Sequence, residues 1–217
     1  LSDLKALKKK VDRVVMDHFD DKYNLRALAH GKNLIVTEVV KRYCHLLLDW
    51  DCAALERGEV IELLEVETEH ELLLTVPGVD QPVKLRGVVD RLDRADGVLR
   101  VIDYKTGNVQ PGDLNIEDWA ALTASEKKEK AFQLLTYTYM HFKNDSGFEP
   151  IHGQAIAGII SFKNFGQGLM TYAFKPNRNT RVVDITHEVL GQYEQQLFGL
   201  IAELMNPEQP FVAASDT

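Results

Sequence analysis

The stretch Leu85–Gly107, LRGVVDRLDRADGVLRVIDYKTG, decides how the rest of the chain is read. Two β-rich runs, VKLRGVVDRLD and VLRVIDYKTG, flank Ala95-Asp96-Gly97, a glycine turn of the kind that closes a hairpin. Side chains alternate faces along a strand, so Asp103 and Lys105 project to one side while Ile102 and Tyr104 project to the other. Asp90 lies thirteen residues before Asp103, and closure of the hairpin returns it to that residue's side. Two carboxylates and one amine therefore converge.

That convergence suits a hard divalent cation. Mg²⁺ or Mn²⁺ takes oxygen ligands and keeps several waters, so two carboxylates, one backbone carbonyl and water make an open site. Such an ion activates water and neutralises charge developing on a phosphate, and a lysine beside it orients the water or stabilises the oxyanion. This is the chemistry of phosphodiester hydrolysis. An Asp-x-Lys taken alone is usually a solvated strand face, and the weight here rests on the joint pattern.

Outward from the hairpin, the apolar positions Leu7, Val11, Val14, Val15 and Phe19 recur at helical steps from Leu4, predicting one amphipathic helix. A second helix is expected through Leu34, Val40, Cys44 and Leu48 to Leu55, ending at Arg57-Gly58. Val60–Val66 and Leu72–Val76 read as two short strands closed by Pro77-Gly78. Residues 108–125 are polar and turn-rich, which predicts a connecting excursion outside the core. A helix is expected over Glu126–Phe142 with Ser125 as its N-cap, then a hairpin of AIAGIISF and LMTYAF, then a long helix over 184–206 capped by Asp184. The order predicts an α/β (α+β) domain.

Composition narrows the possibilities. The chain has 217 residues, 45% of them hydrophobic and 27% charged, so it is long enough to bury a core without disulfides or a structural metal. Its two cysteines, Cys44 and Cys52, form no metal-ligand spacing and read as small buried groups in a reducing compartment. No apolar run is long enough to cross a bilayer and no signal-peptide pattern opens the chain, which predicts a cytoplasmic protein without a membrane partner. A net charge of −8 argues against a protein that coats nucleic acid by bulk electrostatics, though not against a nuclease that carries its positive charge as metal.

The hairpin followed by QLLTY, residues 133–137, resembles the RecB-family (RecB/AddB-like) nuclease domain of the PD-(D/E)XK superfamily. The likeness rests on Gly87, Asp90-Arg91, Asp93, the Asp103-x-Lys105 pair continued by Thr106-Gly107, and the downstream Gln133 and Tyr137. It implies a restriction-endonuclease-like αβββαβ core with a mixed β-sheet flanked by helices. By this resemblance Asp90, Asp103 and the Tyr104 carbonyl are metal ligands and Lys105 is the catalytic lysine. Gln133 and Tyr137, four apart on one helical face, sit beside the site and its substrate. Glu65 is a further acidic ligand, with Glu67 as its competitor.

The implied whole is one nuclease domain over 1–217, with a helical lead-in over 1–58, a catalytic sheet and helix over 59–175, and the last helix over 184–206. It would be a piece of a larger helicase–nuclease acting on DNA, as an exonuclease on single strands, in repair and recombination. Leu1 in place of a methionine accords with a fragment. Many relatives carry a histidine on an upstream helix that neither His30 nor His45 copies, so that helix is expected to precede Leu1. They also often end in a cysteine-rich, sometimes iron–sulfur-binding segment, whereas this chain ends FVAASDT with no such ligand set.

Several residues also have plainer readings. Arg91 and Asp93 pair structurally across the hairpin; His18, His30 and His45 are ordinary helix residues. Gln133 is an exposed helix position and Tyr137 a core aromatic if neither meets substrate. Lys127, Lys128 and Lys130 form a solvated helix face, unless they guide a DNA strand. The competing function is a nuclease fold without activity that binds DNA or a partner subunit. The retention of Asp90, Asp103 and Lys105 favours the enzyme.

Overall fold

The computed structural model describes residues 1–22, 32–144 and 155–210. His30 and the terminal FVAASDT lie outside them. The chain forms two compact units, Leu1–Ile61 and Glu62–Thr217.

The first unit is helical: α1 (Ser2–Lys8), α2 (Val11–Lys22) and α3 (Lys32–Glu56). The single helix expected from Leu4 is thus two. Lys5 and Lys9 put like charges one turn apart, which disfavours continuation, and a turn bonds Lys10 N–H to the Leu7 carbonyl at 2.8 Å. Lys5 pairs with Glu56 at 2.8 Å, Lys8 with Asp49, and His45 with Asp12 at 2.9 Å, joining α1 and α2 to α3. Past α3, Gly58 takes φ +90°, the left-handed stop that the Arg57-Gly58 ending predicts.

The second unit is built on a five-stranded mixed sheet in the order β1-β2-β3-β5-β6. Its strands are β1 (Ile61–Leu74), β2 (Val83–Ala95), β3 (Val98–Lys105), β5 (Ala155–Ser161) and β6 (Leu169–Thr171). β1 is one long strand where two short ones were expected. The polar stretch 67–71 between the two apolar runs belongs to the same strand, with Glu67 at φ +51° within it. At the β2–β3 turn, Asp96 and Gly97 have φ +50° and +84°, the two positive values that a tight two-residue hairpin needs. β3 runs parallel to β5, so a crossover is required, and α5 (Glu129–Asn144) lies within it.

The core of this unit is an apolar cluster. Leu92, Leu99 and Val101 from the hairpin meet Ala131, Leu134 and Leu135 of α5, with Tyr193, Leu197 and Ile201 of α6 (His187–Leu204) beyond them. The mixed α+β architecture with a helix-flanked mixed sheet is the one expected.

Several boundaries differ. The stretch 108–125 is no excursion: it holds a 3₁₀ turn (Pro111–Leu114), β4 (Asn115–Ile116) and α4 (Ala121–Ala124), with Val109, Leu114, Ile116 and Leu122 buried. Apolar residues spaced among turn formers leave no periodic signature. β4 joins β7 (Ala173–Asn177) and β8 (Thr180–Val182) in a second sheet, so LMTYAF is divided between two sheets. A 3₁₀ turn at Glu126–Lys128 precedes α5, and Ser125 makes no capping bond with its side chain. Thr186, not Asp184, caps α6 by accepting from Val189 N–H at 3.3 Å, because Ile185 is held in a bridge to Ala155.

Candidate active site

The β2–β3 ladder pairs Arg91 with Ile102, and Asp90 and Asp103 lie one step beyond that pair. Val83, Leu85 and Val89 of β2 pack in or against the core, as does Leu92, so the inward phase slips at Asp90-Arg91. At the slip, the Asp90 carboxylate accepts the Tyr104 backbone N–H at 2.7 Å. Its negative charge is felt at Asp103.

Asp103 and Lys105 share the inward face of β3, as alternation requires. Lys105 Nζ donates to Asp103 Oδ1 at 3.0 Å and lies 2.9 Å from Oδ2. It also donates to Gln133 Oε1 at 2.9 Å, and Gln133 Nε2 donates to the Tyr137 hydroxyl at 2.7 Å. One row of contacts thus runs from the β3 carboxylate to the sheet-facing side of α5. Gly87 is what lets α5 come this close: a Cβ there would stand 2.8 Å from Tyr137 Cε1 and 3.0 Å from the Met140 methyl.

Asp103 is 2% exposed. Burial pushes its carboxyl above the ordinary range; the Lys105 hydrogen bond and charge pull it down, and Asp90 pushes it up again. Oδ2 is buried and accepts no well-directed hydrogen bond, its approach to Lys105 being an ion pair only. A buried carboxylate oxygen with unused acceptor capacity, beside a second carboxylate, is the donor set that a hard divalent cation takes.

Among the described residues the Glu65 carboxylate groups with His70 and His141. Its competitor Glu67 is solvent-exposed at the left-handed position of β1.

Asp93 and Arg91 do pair, at 2.6 Å, but along one strand; the partner across the hairpin is Arg100, which faces Asp93 in register and holds it with two bonds of 2.6 and 2.8 Å. All three are buried on the sheet face opposite Asp103. Sequence reasoning missed Arg100, although its opposite position was readable from the turn. Lys128 binds the Asn115 carbonyl and Glu117, and Lys130 reaches Glu129, so two of the three clustered lysines are engaged locally.

The sequence profile of the PD-(D/E)XK nuclease superfamily matches residues 2–215. No curated protein matches the chain.

Proposed function

Since the chain belongs to the PD-(D/E)XK nuclease superfamily, whose members are nucleases that generally use divalent metals, we propose that it is a Mg²⁺- or Mn²⁺-dependent deoxyribonuclease with Asp90, Asp103 and Lys105 as its catalytic residues. The observation that carries this reading is the Asp103 carboxylate: buried, paired to Lys105, beside Asp90, and with one oxygen short of a hydrogen bond.

In this reading Asp90, Asp103 and the Tyr104 carbonyl hold the ion. When bound, Mg²⁺ or Mn²⁺ supplies Lewis-acid chemistry, neutralising phosphate charge and making water more acidic. The Tyr104 N–H anchors one oxygen of Asp90, and in this reading the other is left for the ion. Lys105 keeps its ammonium at the reacting phosphate through Gln133, whose amide is fixed in turn by the Tyr137 hydroxyl. Gln133 and Tyr137 are half-buried beside Lys105, and in this reading they meet the nucleotide.

The finer assignment is an exonuclease on single-stranded DNA, and 1–217 as one nuclease domain within a cytoplasmic RecB/AddB-like helicase–nuclease of repair and recombination. The hairpin-to-QLLTY likeness supports it. No described helix is long and apolar enough to cross a membrane.

The test is cleavage of end-labelled single-stranded DNA with Mg²⁺ or Mn²⁺, comparing wild type with Lys105→Ala. A loss of about 100- to 1,000-fold, the usual worth of a group that stabilises transition-state charge, is expected. If the folded wild type is as inert as the variant under conditions where it binds the ion, the fold serves binding instead.

A further inference from the structure

We propose that Glu65, His70 and His141 bind a borderline transition-metal ion, Zn²⁺ by preference, at a second site that clamps β1 to α5. Their ligand atoms lie within 4.8 Å of one another, and Glu65 Oε2 is 2.7 Å from His70 Nε2. The two imidazoles meet edge to face with centroids 6.0 Å apart. Ligands at about 2.0–2.1 Å on a tetrahedral ion stand about 3.4 Å apart, so small side-chain rotations convert the cluster into a coordination shell.

Local structure makes the cluster possible. Residues five apart on a regular strand face opposite sides, but the left-handed Glu67 between Glu65 and His70 shifts the phase and brings them together. His141 follows Tyr137 by four residues on α5 and so shares the face of Gln133 and Tyr137.

The chemistry selects the ion. Two neutral imidazoles with one carboxylate suit Zn²⁺ and its neighbours, whereas Mg²⁺ prefers an all-oxygen set such as Asp90 and Asp103. His70 and His141 are 8% and 7% exposed, while the Glu65 side chain keeps 30% exposure, so the fourth position opens to water on the carboxylate side. Among the described residues neither Asp90 nor Asp103 belongs to this group, so its ligand set is its own and Zn²⁺ uptake can be tested apart from the nuclease reading.

The test is Zn²⁺ content per chain after equilibrium dialysis in excess Mg²⁺, with the thermal midpoint recorded alongside. One Zn²⁺ is expected in wild type and in Asp103→Asn, raising the midpoint of both. Affinity should fall by more than about 100-fold in His141→Gln, since even residues behind metal ligands are worth about 10- to 100-fold. Glu65→Gln alters a partly exposed carboxylate and gives the same readout should the buried variant fail to fold. Absence of Zn²⁺ from folded wild type, uptake unchanged in Glu65→Gln, or uptake lost in Asp103→Asn would each overturn the proposal.

Discussion

Asp103 sits where a charge is disfavoured: burial and the Asp90 charge push its carboxyl up against the downward pull of Lys105. In chelator-treated protein at neutral pH, Asp103→Asn removes a buried charge while keeping its shape, so the thermal midpoint should rise; the same variant should lose the further rise that Mg²⁺ gives wild type. Melting curves with and without the ion check both halves. A midpoint lowered by the substitution in chelator would show that Lys105 fully offsets the burial. The acid–lysine pair was legible in the sequence because strand alternation alone puts residues two apart on one face. That Gln133 would hold Lys105 was not, since bonds between residues 28 apart depend on how a helix docks.

At the scale of elements, the decisive contact is between β2 and α5. Gly87 permits Tyr137 to lie on the strand, and a methyl group there would collide at 2.8 Å with a ring carbon. Gly87→Ala should therefore destabilise the protein by about 1–3 kcal/mol, measurable by urea unfolding, and reduce cleavage by displacing the Tyr137–Gln133–Lys105 row. The helices carry a second test. Burial works against ionisation of Glu194 on α6, but hydrogen bonds from Tyr139 and Lys143 and the Lys143 charge outweigh it and hold the carboxyl low. A lowered carboxyl stabilises the fold above its unfolded pKa and loses that contribution as pH falls through the folded value. Wild type should exceed Glu194→Gln in stability by no more than about 1 kcal/mol at neutral pH, the two converging in acid; unfolding over a pH series decides it.

For the whole molecule, charge sets the terms of any encounter with DNA. At −8 net, the chain repels a polyanion wherever no cation intervenes, and Lys128 and Lys130 are spent on local partners. Single-stranded DNA binding by metal-free protein should be weak at physiological salt, tighten with Mg²⁺, and leave cleavage weak under the same conditions. Fluorescence anisotropy against salt and Mg²⁺ measures it, and tight metal-independent binding would show that a basic surface dominates. The main apolar cluster, from Leu74 to Ile201, lies within the second unit, while Val11, Val15 and Ala54 are buried within the first.

How much could be read in advance follows from which interactions are local. The hairpin, its turn at Asp96-Gly97, the facing of Asp103 and Lys105, and the Gln133–Tyr137 spacing are set by periods of two and 3.6 and by one glycine, all properties of neighbouring residues. The buried turns in 108–125 and the division of LMTYAF between sheets arise where short apolar stretches are claimed by distant partners, so no local period marks them. The same holds for Glu65. Its place beside His70 depends on one left-handed residue, and its place beside His141 on the docking of α5 against the sheet, and only the folded chain decides either.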